Sequence, residues 1–155
     1  MVTLAGAMST AEIGRSLAPL IRSGKVHAVT CTGANLEEDV FKLIAHSHYK
    51  KVPNWRNLSK DDEQELHSQG FNRVTDTCIP EERAIRLIEK KILNQWKNNT
   101  AVPHEHLMAI LDELDAEIPT NDSWLIAARD AGIPVYVPGW EDSTLGNIFT
   151  AHCIK

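Results

Sequence analysis

The chain reads as one α/β domain, a parallel sheet carrying helices on both faces. Short β-branched runs alternate with amphipathic helical stretches along most of its length, and that alternation makes the helices crossovers between parallel strands. The last strand-like run, "IPVYVPG", is continuously apolar, as a strand covered on two faces should be. At 155 residues, 43% hydrophobic and 24% charged, the chain suits a single core and lies well away from the disordered class.

The elements follow in order. "VTLAGA" ends a first strand. In "STAEIGRSLAPLIRSG" a Ser9-x-x-Glu12 capping box predicts a helix start, Ile13, Leu17, Leu20 and Ile21 supply an apolar face, and Gly24 stops it. "KVHAVTCT" is a second strand, and Asn35 with Glu38 three residues later marks a second helix through "LEEDVFKLIAHS". Residues 50 to 78 read as polar and irregular apart from a short helix at "SKDDEQELHSQ". Pro80 opens the helix "PEERAIRLIEKKILNQW", with Ile85, Ile88, Ile92 and Trp96 on one face. "PHEHLMAILDELDAE" and "SWLIAARDAG" are further helices, the second closed by Gly132, and "STLGNIFTAHC" turns helical after the last strand.

Charge and cysteine usage exclude several functions. A net charge of −5 gives no footprint for nucleic acid or an anionic membrane, and Lys90, Lys91 and Lys97 read as a solvated helix face. The other lysines, Lys42 among them, also sit in polar contexts and read as surface residues. Cys31, Cys78 and Cys153 are an odd number without paired spacing, so neither a disulfide framework nor a zinc knuckle is expected and a reducing cytoplasm fits. The opening "MVTLAGAMSTAEIG" lacks a basic signal-peptide region, and no run approaches the ~18–20 apolar residues of a membrane span. The pairs His46/His48 and His104/His106 are two residues apart, not at the i, i+4 spacing of a helical zinc site, so no metal is expected.

The candidate site lies where the second strand meets its helix, in "VTCTGANLEEDVF". Ligands of open parallel sheets bind beyond the carboxyl ends of strands, where helix N-termini present unpaired N–H groups. Thr32, Gly33 and Ala34 are small enough for close approach of a phosphate or sugar, with Glu38 at a capping position and Asp39 in the first turn. Three successive carboxylates exceed what one cap needs, so at least one is expected to face the crevice, although the pattern alone also allows capping only. No G-x-G-x-x-G fingerprint accompanies them. A second candidate is "PVYVPGWEDSTLGN", where a strand runs out at Gly139 and Asp142 is either a ligand or a turn cap.

Together "TGANLEEDVF", "NRVTDTCIPEE", "SWLIAA" and "IPVYVPGWEDSTLGN" resemble the deoxyhypusine synthase family, in particular its bacterial deoxyhypusine synthase-like branch, over nearly the whole chain. The resemblance implies a Rossmann-like fold, a homotetramer with active sites at dimer interfaces, and NAD as cofactor. It also implies the reaction. Spermidine is oxidised and cleaved, its aminobutyl group is carried as an imine on an enzyme lysine, and the group passes to a protein lysine or to putrescine.

Residue by residue, the resemblance makes Thr32, Gly33 and Ala34 the NAD-contacting turn and places Glu38 near cofactor and polyamine, with Glu37 also at the amine site. Asp142 becomes a further NAD contact and Thr10 a weaker match in the first cofactor loop. Asn147 stands where the family usually has a polyamine-binding aspartate. The chain corresponds to the N-terminal-to-middle portion of the family domain. It reaches "AHCIK" before the family's glycine-rich stretch, active-site histidine and imine-forming lysine, which Lys155 does not match, so no catalytic residue is assigned. The expectation is an enzyme inactive without a complementary C-terminal half. The alternative is a non-catalytic subunit or truncated product that binds a nucleotide or partner chain.

Overall fold

The computed structural model describes residues 1–154, so Lys155 lies outside the described residues. The chain begins with strand β1 (Val2–Leu4), helix α1 (Gly14–Arg22), strand β2 (Val29–Cys31) and helix α2 (Gly33–Ala45). A middle section holds β3 (Lys50–Lys51), α3 (Lys60–Ser68), β4 (Phe71–Val74), β5 (Thr77–Pro80), α4 (Arg86–Asn98) and α5 (Pro103–Ile110). Helix α6 (Trp124–Asp130), strand β6 (Val135–Tyr136) and helix α7 (Thr144–Ile154) complete the described chain.

Strands β1, β2 and β6 form a parallel sheet with β2 in the middle, Val29 standing opposite both Val2 and Val135. All three strands are short, and Leu4, Val29, Cys31 and Val135 pass into the core beside Leu17, Phe41, Trp124 and Leu145. The segment expected to be irregular instead builds a second, antiparallel sheet in the order β3-β5-β4, so a single parallel sheet does not describe the fold. Strands of two to four residues are too short to show an alternating pattern, and this ladder forms because the turn at Thr75 and Asp76 folds β5 back on β4.

Helix ends agree with the sequence where a glycine closes them and differ where a side chain was to open them. Gly24 and Gly132 lie past α1 and α6 at φ +71° and +62°, conformations a Cβ disfavours. The Ser9–Glu12 capping box does not form: α1 starts at Gly14, and Ser9 is buried against α2. Leu20 is 42% exposed and leaves the apolar face to Leu17, Ala18 and Ile21. Ile85, Ile88 and Ile92 are buried as expected, reached from Pro80 through a wide π-type turn over Glu81–Ile85.

Helix α2 is the centre of the molecule, in contact with α5, α6 and α7 and buried at every position except Ala34. Its charged residues Glu37, Glu38, Asp39 and Lys42 therefore lie inside, which corrects the reading of Lys42 as a surface lysine. Among the described residues no helix is long and apolar enough to cross a membrane.

Candidate functional site

Because β1, β2 and β6 are parallel, the loops that follow them emerge at one edge of the sheet. Asn35 fastens two of these loops together. Its side-chain amide donates to the Gly6 carbonyl at 2.7 Å and to Thr32 Oγ1 at 2.8 Å, while its Oδ1 accepts from the Ser9 N–H at 3.0 Å. Ser9 Oγ donates to the Asn35 carbonyl at 2.6 Å and accepts from the Trp124 indole at 3.0 Å. The N-cap of α2 is accordingly Thr32, whose hydroxyl accepts from the Asn35 N–H, and not Asn35 itself. Both residue types cap well, and the need to hold Gly6 takes the Asn35 amide away from capping.

The helix thus starts earlier than expected, which moves Glu37, Glu38 and Asp39 out of its first turn. The three carboxylates then part company. Glu37 accepts from the N–H groups of Thr144 and Leu145 at 2.9 and 2.8 Å and so caps α7, one oxygen to each. Asp39 Oδ2 accepts from Ser123 Oγ at 2.6 Å and the Leu125 N–H at 3.1 Å, and so caps α6. Glu38 alone caps no helix. Its Oε2 accepts from the hydroxyl of Thr10, which is buried with it.

Burial dominates the electrostatics of the cluster. Desolvation raises the carboxyl pKa of Glu37 against the pull of its two amide donors, and that of Asp39 to about 6. Desolvation also raises Glu38, opposed by the Thr10 hydrogen bonds and by the charge of Lys42. The Tyr49 phenol is pushed up by burial and then by Glu38 and Glu37.

The remaining expected residues are distributed unevenly. Gly33 packs rather than opens the site, since a Cβ there would lie 2.6 Å from Ser143 Cβ and 3.1 Å from Trp140 Cδ1. Asp142 follows Gly139, which is left-handed at φ +69°, and its carboxylate is exposed at the edge where Thr32 is exposed. Asn147 turns its amide onto the Ser143 carbonyl at 2.9 Å. It lines a separate opening of about 570 Å³ with Asn72, Glu81 and Arg86, to which neither Thr10 nor Glu38 contributes. The structure thus joins Thr10 to Glu38, and Gly33 and Glu37 to the turn and helix start that flank Asp142, with Thr32 capping the helix that carries all three clustered carboxylates, while Asn147 faces elsewhere. Three neighbours escaped the sequence reading: Lys42, whose charge acts on Glu38, Tyr49, on whose phenol Glu38 acts, and Glu12, which pairs with Lys42. The i, i+4 spacing of Glu38 and Lys42 was the available signal.

The donor set at this edge suits a dinucleotide such as NAD. The N–H groups of Gly33 and Ala34, ahead of the Asn35 N–H that Thr32 caps, can meet a phosphate, and the exposed Asp142 carboxylate can accept from a ribose hydroxyl.

Known proteins resemble this one throughout. The family model described as deoxyhypusine synthase matches residues 1–155. A deoxyhypusine synthase-like protein of Elusimicrobium minutum is 27% identical over 98% of this chain and 40% of its own length. One from Thermosynechococcus vestitus is 29% identical over 94% of this chain and 37% of its own. A protein of Entamoeba histolytica whose crystal structure carries the deoxyhypusine synthase name superposes at a TM-score of 0.60 with 13% identity, over 97% of this chain and 45% of that one. The chain spans about two fifths of the length of these curated relatives.

Proposed function

The chain belongs to the deoxyhypusine synthase family, and on that premise we propose that it serves NAD-dependent aminobutyl transfer from spermidine to an acceptor amine, a protein lysine or putrescine. The observation that carries the proposal is Glu38, a buried carboxylate that caps no helix and sits against Thr10 behind the carboxyl ends of the parallel strands.

NAD, when bound, supplies the hydride acceptor. Thr32, Gly33, Ala34, Thr10 and Asp142 would hold it, the helix N-terminus taking phosphate and Asp142 a ribose hydroxyl. Glu38 would take an ammonium of the polyamine, whose charge favours the carboxylate that burial alone disfavours. Glu37, with both oxygens engaged, fixes the start of α7 beside Asp142 and supports the amine site indirectly. A neutral Asn147, facing the separate opening with its amide on Ser143, adds no anionic contact for a polyamine.

The Rossmann-like fold, the cytoplasmic setting and assembly into a homotetramer or with a complementary chain belong to the same proposal. So does the expectation that these residues bind without completing the transfer. Among the described residues Lys42 is the one buried lysine, and its ammonium is paired with Glu12, which leaves no lysine set apart to carry the aminobutyl group. That observation also favours the second reading, a subunit that binds nucleotide or partner without turnover.

Calorimetric titration with NAD, ATP and spermidine tests the assignment. NAD is expected to bind more tightly than ATP, and Asp142→Ala to weaken NAD by about tenfold through loss of a charge-assisted hydrogen bond. Tighter ATP binding, or an unchanged NAD affinity in the variant, would refute it.

A further inference from the structure

Lys42 occupies an unusual position. It is 7% exposed in the last turn of α2, one turn from Glu38 on the same face, and is the one buried lysine or arginine among the described residues. Its ammonium stands 3.3 Å from Glu12 Oε1 and 4.6 Å from the centre of the Tyr49 ring, so it is held on two sides by groups from outside the helix.

Glu12 reaches it from a left-handed backbone at φ +63°, a conformation that non-glycine residues adopt where the surrounding structure imposes it. The same Glu12 oxygen lies 3.2 Å from His46 Nε2. Lys42 and His46 together outweigh the desolvation of Glu12 and hold its carboxyl below the usual range.

We propose that Lys42 is a positioning residue for Glu38: a buried cation, clamped by Glu12 and the Tyr49 ring, whose charge keeps Glu38 an ionised carboxylate ready to receive an ammonium group. The proposal rests on the reading of Glu38 as an amine contact. A carboxyl group in this setting otherwise tends to become neutral, and a neutral acid offers a polyamine no countercharge.

Among the groups around Glu38, Lys42 is the cation, set one helical turn away. On α2 itself Glu37 and Asp39 are further carboxylates and Lys42 the cation. The segment before α1 supplies the neutral Thr10 hydroxyl, and the turn after α2 supplies the Tyr49 phenol, while Glu12 pairs with both Lys42 and His46. The Tyr49 hydroxyl is buried without a hydrogen-bond partner, so its contribution to the clamp is the ring face.

The test follows the titration of the Glu38 carboxyl in protein made with isotope-labelled glutamate, its resonance assigned by loss in Glu38→Gln. Lys42→Met is expected to raise the Glu38 midpoint by about one pH unit or more, Lys42→Arg to restore it, and Glu12→Gln, which removes the competing carboxylate, to lower it. In parallel, Lys42→Met should weaken spermidine about tenfold at neutral pH, approaching Glu38→Gln.

An unmoved Glu38 midpoint in folded Lys42→Met overturns the proposal. Should that variant fail to fold, an unmoved midpoint in Glu12→Gln does so. A shifted midpoint with spermidine affinity insensitive to Glu38→Gln upholds the coupling of Lys42 to Glu38 and overturns the amine reading of Glu38 instead.

Discussion

Glu37 and Glu38 are neighbours in sequence and buried alike, yet their substitution should have opposite consequences. Glu37→Ala deprives two N–H groups of their acceptor, that of Thr144 at 2.9 Å and that of Leu145 at 2.8 Å. Thr144 is exposed, so its N–H can turn to water, whereas Leu145 is fully buried and its N–H is left without a partner. An unsatisfied buried donor costs about 1–3 kcal/mol, and the loss of a charged acceptor adds to it. Relief from burying the Glu37 carboxylate, whose pKa desolvation raises, offsets part of the total. The balance is on the order of 3 kcal/mol, a fall in Tm of about 6–12 °C for a chain of this size. Glu38→Gln keeps an acceptor for Thr10 and should cost less than about 1 kcal/mol while weakening amine binding. Urea unfolding of both variants beside wild type, with unchanged slopes as the check on two-state behaviour, measures the difference. Equal stability losses in the two variants, or a Glu37→Ala Tm within about 2 °C of wild type, would refute the division of the acidic cluster into cap and site.

Three further outcomes follow from the same geometry. The Asp39 carboxyl is raised to about 6, above the roughly 3.9 of an unfolded chain, so its contribution to stability is full below the unfolded value and is lost as pH rises through 6. The loss is on the order of 3 kcal/mol, and Asp39→Asn should flatten this part of the pH profile because one amide oxygen can serve both donors that now share Oδ2; an unaltered profile in urea unfolding would count against it. Gly33→Ala should destabilise by about 1–3 kcal/mol and alter the tryptophan fluorescence, since the new Cβ would lie 2.6 Å from Ser143 and 3.1 Å from Trp140. Gly146→Ala should be worse, because its Cβ meets the backbone of Trp140 and Glu141; wild-type melting in both would show that the loop after β6 is not packed as described.

The sequence by itself determined the order of the helices and of the three parallel strands, the glycine stops at Gly24 and Gly132, the buried stripe of Ile85, Ile88 and Ile92, and the family to which the chain belongs. These are features carried by local chemistry: periodicity, left-handed glycines and the identity of neighbouring residues. The antiparallel sheet at β3, β5 and β4 was not legible, because strands this short take their order from the partner they meet. Ser9 read as a cap and Lys42 as a surface lysine for a related reason. Local pattern assumes that a polar side chain looks to its own helix or to water.

The tertiary structure decided the acidic cluster. With α2 enclosed on almost every side, Glu37 and Asp39 could no longer face solvent and instead meet the unpaired N–H groups of α7 and α6. Among the described residues Glu38 accepts a hydrogen bond from Thr10 alone and lies in the field of Lys42. Three adjacent carboxylates look interchangeable in a sequence, and what separates them is which donors the packed fold brings within hydrogen-bond reach.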